Sequence, residues 1–283
     1  MLNPEQISFL KHAKKNILGL VICIVLFLSG FFLHGNTGLY MNISGFLIVI
    51  GGTLGATFLS YDMKRIEILF KVLKTAYCRK MADPGEIVKI LVDLSVKRRV
   101  KGVLALQDDE DETTIIFLKQ AIGLLVDGCT REQIKDSLNA EMYFFRMRRD
   151  ETRRVLQSMA DVAPSFGLVG SVVGLIGMLS GVGDSSVIMS TVPIALTSTL
   201  YGIVLANFIF LPFAANIRER TVKELFLQKM ITDGVLAIHD ELHPRMVERK
   251  LKAYLTPSAR NGNLVSFARI REKSELEDLK ESA

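Results

Sequence analysis

Polar and apolar residues alternate along this chain on two different length scales. Four stretches, 17–33, 43–60, 160–179 and 192–213, are apolar on all sides, and each approaches the roughly 20 residues that a helix needs to cross a bilayer. The intervening residues 61–154 instead carry apolar side chains at helical spacing among many charges. Asp83-Pro84 predicts a helix start, with Asp as cap and Pro in the first turn, and Ile87, Ile90, Leu91 and Leu94 give that helix one apolar face. A second amphipathic helix is predicted from Ile115 to Val126, ending at Asp127-Gly128. From about Arg131 the periodicity continues with hardly a break into the third apolar run, which predicts one long helix. Beyond the fourth run, residues 214–256 read as a helical tail, with Leu225, Met230, Val235, Leu236 and Ile238 on one face. Residues 1–16 are expected to form an interfacial or charged flank, and 257–283 a poorly ordered end.

Charge orients this pattern. Of 35 Lys and Arg, three lie in residues 1–16, nineteen in 61–154 and thirteen in 214–283. The connecting segments 34–42 and 180–191 have none. Positive charge stays on the cytoplasmic side, so both termini and the long middle segment are expected inside. The expected architecture is all-α: a hairpin of spans 1 and 2 (17–60), a cytoplasmic helical domain (61–154), spans 3 and 4 (155–213) and a cytoplasmic extension of span 4 (214–256). The net charge of +5 then reports membrane orientation and gives no reason to expect nucleic acid. Three scattered cysteines with no CxxC argue against a disulfide framework or a zinc site. No Gly-rich phosphate loop, HExxH or GxSxG motif is present, so neither enzymatic activity nor a cofactor is expected.

Small residues supply the candidate chemistry. Gly51 and Gly55 in the second run, Gly167, Gly170 and Gly174 in the third, and Gly202 in the fourth recur at spacings that let helix backbones approach closely. The hydroxyls of Ser171, Ser198 and Thr199 are placed where an ion or a partner helix would meet them. Pro164 and Pro212 each remove a backbone hydrogen bond, leaving the carbonyls of Ala160 and Phe208 without that partner. Each is either a static kink or a flexible point. The deep parts of the four runs hold no Asp, Glu, Lys or Arg, and Asp161 lies only at the inner edge of the third. An ion path usually needs an ionisable group at depth. The expected source is a partner's helix packed against the glycine-lined face.

These motifs carry a resemblance. GGTLGA, DVAPSFGLVGSVVGLIGML, TSTLYGIVLANFIFLP and DGVLAIHDELHPRMVERKLKAYL, with GVLAL after the basic cluster, are similar to the A subunit of the bacterial flagellar stator. This is the MotA/PomA family, itself related to the ExbB/TolQ energisers. The resemblance implies an inner-membrane homopentamer around a single-span B subunit with a peptidoglycan-binding domain, driven by Na+ or H+ and pushing a flagellar rotor switch protein. It implies that Pro164 and Pro212 couple, that Ser171 and Thr199 lie near the ion and that Arg99 faces the rotor; Ser198 and Asp161 are expected to join the ion pathway, and Arg98, Gln107, Asp108 and Glu110 the rotor face. The family's usual rotor-facing Glu after LAL is Gln107 here. Ser171 points toward sodium, and Asn42, where sodium-type members carry an acid, points away. An ExbB/TolQ-like energiser and a non-conducting membrane scaffold are the alternatives.

Overall fold

The computed structural model describes residues 40–78, 81–113, 115–181 and 185–255, together with Leu26, Ser29 and Gly30. The expectations for 1–16, for most of the first span, for the turn after it and for 257–283 lie outside the described residues. Among those described there is no strand. The helices are α1 (Ile43–Ser60), α2 (Met63–Cys78), α3 (Pro84–Lys101), α4 (Gln107–Glu112), α5 (Ile116–Val126), α6 (Arg131–Ser180), α7 (Ser185–Val204), α8 (Leu211–His239) and α9 (Pro244–Lys252). A 3-10 turn, Leu104–Leu106, precedes α4, and a π-helical segment, Leu205–Phe210, joins α7 to α8. Three of these helical stretches are long and apolar enough to cross a membrane: Ile43–Ser60, Arg131–Ser180 and Ser185–His239.

The chain divides into two compact units, one of Met1–Met63 with Val155–Pro212, the other of Lys64–Arg154 with Phe213–Ala283. In the apolar unit, α1 packs on α7 and α6 through Gly45, Val49, Thr53 and Thr57, which are buried at a spacing of four. Within this chain Gly51 and Gly55 make no close approach: a Cβ on either would meet nothing within 4 Å. They sit on a neighbouring stripe of α1, whereas Gly45 faces Ser198 and Gly52 lies under the ring of Phe166. The loop expected at 180–191 is also shorter than its sequence suggests. Helix α7 starts at Ser185 and contains Pro193, and Thr191 back-bonds within it to Val187 O at 2.7 Å.

The charged unit is built differently. Asp83 caps α3, accepting from Gly85 N at 3.0 Å, and Gly102 ends it at φ 86°, a conformation that favours glycine. Ile87, Leu91, Leu118, Ile122, Ile134, Leu138, Met230, Ile238 and Leu251 are fully buried and form one core across α3, α5, α6, α8 and α9. Polar ties surround it. Arg149 reaches Glu224 at 3.3 Å, and Tyr254 donates to Asp233. Burial pushes the Asp233 carboxyl up, but hydrogen bonds from Tyr254 and Lys229 bring it below its usual range. Burial and that same bond push the Tyr254 hydroxyl up to about 12.

Candidate functional site

The glycines of α6 form a seam against α7. A Cβ built on Gly167 would lie 3.0 Å from Ser198 O, one on Gly170 2.5 Å from Ser198 Cβ, and one on Gly174 2.6 Å from Ala195 N. Gly202 of α7 completes it, since its Cβ would lie 2.6 Å from Ala163 O and 3.0 Å from Pro164 Cα. Backbone meets backbone along this line, which only small residues permit. The expectation that a partner helix would occupy the glycine-lined face is therefore corrected: within this chain that face is filled by α7.

The seam gathers oxygen atoms at one level. Ser171 Oγ and Thr199 Oγ1 are 2.5 Å apart. Ser171 Oγ also lies 2.5 Å from Ala195 O and 3.2 Å from Gly167 O, and Thr199 Oγ1 lies 3.4 Å from Gly167 O. Two hydroxyls and two backbone carbonyls thus converge, with both side chains half-buried rather than sealed. A hydroxyl both donates and accepts, so this cluster can solvate a cation or relay a proton, but it holds no charge of its own. Ser198 differs from its neighbours. It is fully buried, wedged between Gly45 and Gly170, and donates to Ile194 O at 2.6 Å. Within this chain it packs between three helices. Asp161 is exposed on α6, six residues before Gly167.

The two prolines occupy unlike settings. Pro164 is half-buried inside α6, against Gly202. Pro212 is exposed at the second position of α8, directly after the π-helical turn. There Leu211 N bonds to Ala206 O, one residue further back than in an α-helix. A proline ring crowds the carbonyl four residues earlier, here that of Phe208, and a widened turn relieves the clash. Such π segments recur at functional sites, and the sequence reading did not anticipate this one. Tyr201 was also missed. Its hydroxyl accepts from Asn42 N at 2.8 Å and donates to Tyr40 O, and its ring meets Phe46 edge-on with centroids 5.8 Å apart. A phenol inside an apolar run needs a polar partner, and that was the available signal.

In the charged unit, Arg99, Gln107 and Asp108 are exposed. Asp109 pairs with Lys97 at 2.8 Å, and the Glu110 carboxylate lies beside α5, where a Cβ on Gly123 would come within 3.2 Å of its Oε1. Arg98 differs from Arg99: its side chain is only 14% exposed and donates to Ile238 O.

Known proteins place this geometry. Residues 109–230 match the model of the MotA/TolQ/ExbB proton channel family. A chemotaxis protein PomA from Vibrio alginolyticus is 31% identical over 86% of this chain and 96% of its own length. This chain belongs to that family. It is a stator A subunit of the MotA/PomA type. An uncharacterised Bacillus subtilis protein, YtxD, is 32% identical over 84% of this chain and 87% of its own. Among solved structures, a chain of C. jejuni MotAB superposes with a TM-score of 0.79 at 27% identity, covering 86% of this chain and 96% of that one. A chain of the Bacillus subtilis flagellar MotAB stator complex shares the fold, with a TM-score of 0.80 at 24% identity and coverage of 88% and 98%. A stator A subunit is a multi-pass membrane protein of a channel family, and its work is transport and motion rather than catalysis. The match begins within the acidic helix α4 and runs through the α6–α7 seam, so the oxygen cluster lies inside the matched region.

Proposed function

We infer that this chain is the ion-conducting A subunit of a flagellar motor stator, and that inward ion flow through its complex drives rotation of the flagellum. The observation that carries the reading is the cluster of Ser171, Thr199, Ala195 O and Gly167 O on a glycine seam in a chain of this family. The cluster supplies oxygen ligands or a proton relay at depth. It supplies no carboxylate, and none lies in α1, in 162–180 or in 185–217. The missing charge comes from the single membrane helix of a B subunit, the MotB or PomB type, held to peptidoglycan outside the membrane. The helix seats beside the half-buried edge where Ser171 and Thr199 reach the surface, not in the glycine seam itself.

Several copies of the chain, five by family resemblance, surround the partner helices in the inner membrane. The charged unit and both termini lie in the cytoplasm, in line with the distribution of Lys and Arg. Arg99, with Asp108 and Gln107, meets the rotor switch protein, and Glu110 lies behind them. Pro164, at the seam, and Pro212, after the widened turn, are the points at which the helices yield during the cycle. Asp161 lies at the inner mouth. Hydroxyls and carbonyls together favour sodium over proton at the cluster, since a bare cation needs several oxygen ligands while a proton needs a titratable group.

Swimming of cells carrying Ser171→Ala, measured across sodium concentrations, tests the reading. A steeper sodium requirement with unchanged protein in the membrane is expected. Swimming indifferent to sodium in both parent and variant, and abolished by a protonophore, would reassign the ion to H+. Full motility of the double variant Ser171→Ala, Thr199→Ala under every ionic condition would remove the cluster from the path.

A further inference from the structure

Adjacent arginines at the end of α3 are presented in opposite senses. Arg99 is exposed. Arg98 turns into its own unit, where Nη1 donates to the carbonyl of Ile238 and Nη2 lies 3.5 Å from Glu241 Oε1. Ile238 belongs to the last turn of α8, and the final carbonyls of a helix have no partner inside it. A guanidinium there satisfies one of them and sits at the negative end of the helix dipole.

That terminus is costly to form. Glu241 has φ 53°, and its amide and that of Leu242 bond back to Ile238 O and Ala237 O at 3.0 and 3.1 Å, the pattern in which glycine usually holds the left-handed position. A side chain is less favourable there than glycine. The glutamate at this strained position directs its carboxylate to Arg98. Arg131 of α6 holds the preceding residue, Asp240, at 3.1 Å. Further along α8, Gly234 lets α3 close in, because a Cβ there would come within 2.7 Å of Leu91 Cδ1. The middle of α3 thus packs on α8 at Leu91, and its last turn is fixed to the end of α8 by a charged clamp at Arg98. Immediately after the clamp comes Arg99, and three residues later Gly102 stops the helix, its amide bonded to Arg98 O at 2.9 Å.

We propose that Arg98 is a positioning residue: by gripping Ile238 O and Glu241 it sets the direction in which Arg99 presents its charge to an acidic surface of the rotor. The proposal rests on the rotor-facing role assigned to Arg99 above. The clamp is intramolecular, so a defect at Arg98 is repaired from within the chain, and a defect at Arg99 is repaired from the rotor.

The test compares swimming speed at equal membrane levels of the stator complex. Arg98→Glu and Arg99→Glu both lose swimming. Adding Glu241→Arg to Arg98→Glu restores part of the lost speed, because the charge pair is rebuilt in reverse although a carboxylate cannot donate to Ile238 O, and adding it to Arg99→Glu restores none. Reversing an acidic residue of the rotor switch protein restores Arg99→Glu only. Should Arg98→Glu fail to accumulate, Arg98→Gln takes its place; it loses speed where Arg98→Lys retains it, and it raises the rate at which a water-soluble maleimide labels Arg99→Cys. Recovery of Arg98→Glu by the rotor reversal and not by Glu241→Arg would make Arg98 a rotor contact and overturn the proposal. So would parental swimming and labelling in Arg98→Gln. Parental swimming in Arg99→Glu would instead sink the rotor reading, and the proposal with it.

Discussion

The two units of this stator subunit solve helix packing by opposite means. In the apolar unit, contact is made by what is missing: Gly167, Gly170, Gly174 and Gly202 bring α6 and α7 to backbone distance, and most large side chains point away, with Leu168, Ile176 and Leu179 each more than 60% exposed. In the charged unit, contact is made by bulk. Leu91, Leu118, Ile122, Ile134 and Met230 are fully buried, and ion pairs edge the core. Water explains the difference. Burying Leu and Ile stabilises only where the alternative is exposure to water. Among lipid tails that gain vanishes, and close van der Waals approach takes its place. The apolar unit also places the hydroxyls of Ser171 and Thr199 on the seam, 2.5 Å apart.

Substitutions that exchange the two strategies break this contrast most sharply. Gly174→Val or Gly202→Val is expected to abolish motility, because the added carbons have no room against Ala195 N or Ala163 O, and overpacking costs about 1–3 kcal/mol or more. Membrane insertion should persist, as measured by fractionation, since hydropathy rises. Gly51→Ala, on the open stripe of α1, should leave motility intact, and a loss there would place Gly51 against a neighbouring subunit. Leu91→Ala, the reverse exchange, should lower the stability of the charged unit by about 2–5 kcal/mol, read as an earlier thermal transition in detergent. A smaller loss of stability is expected from Tyr254→Phe, which removes one hydrogen bond worth about 1 kcal/mol. Asp233 has a lowered pKa, so its stabilisation is present above its ordinary value of 3.8 and lost as pH falls through the lower folded value. In Tyr254→Phe less of this stabilisation remains to be lost, and acid unfolding should begin from a lower plateau.

Much of the fold could be read along the chain because it rests on local signals. Asp83-Pro84 starts α3, Asp127-Gly128 follows α5, and the uninterrupted pattern from Arg131 is one helix of 50 residues. The glycines of α6 were legible as a packing stripe, but not whom they meet, since a stripe of small residues fits a neighbour in the same chain or in another. For α1 the choice among Gly45, Gly51, Gly52 and Gly55 depends on a rotation about its axis that a run apolar on every side does not encode. The π turn before Pro212 and the inward turn of Arg98 were hidden for a related reason. Each depends on a group distant in sequence or on backbone crowding, and neither leaves a periodic trace.

The most direct test of the account is cation flux into liposomes containing this subunit, alone and with its single-span partner, under an imposed ion gradient. Flux is expected only when the partner's membrane carboxylate is present, with a large loss when Ser171→Ala and Thr199→Ala are combined. Equal flux through the subunit alone, or undiminished flux in the double variant, would contradict it.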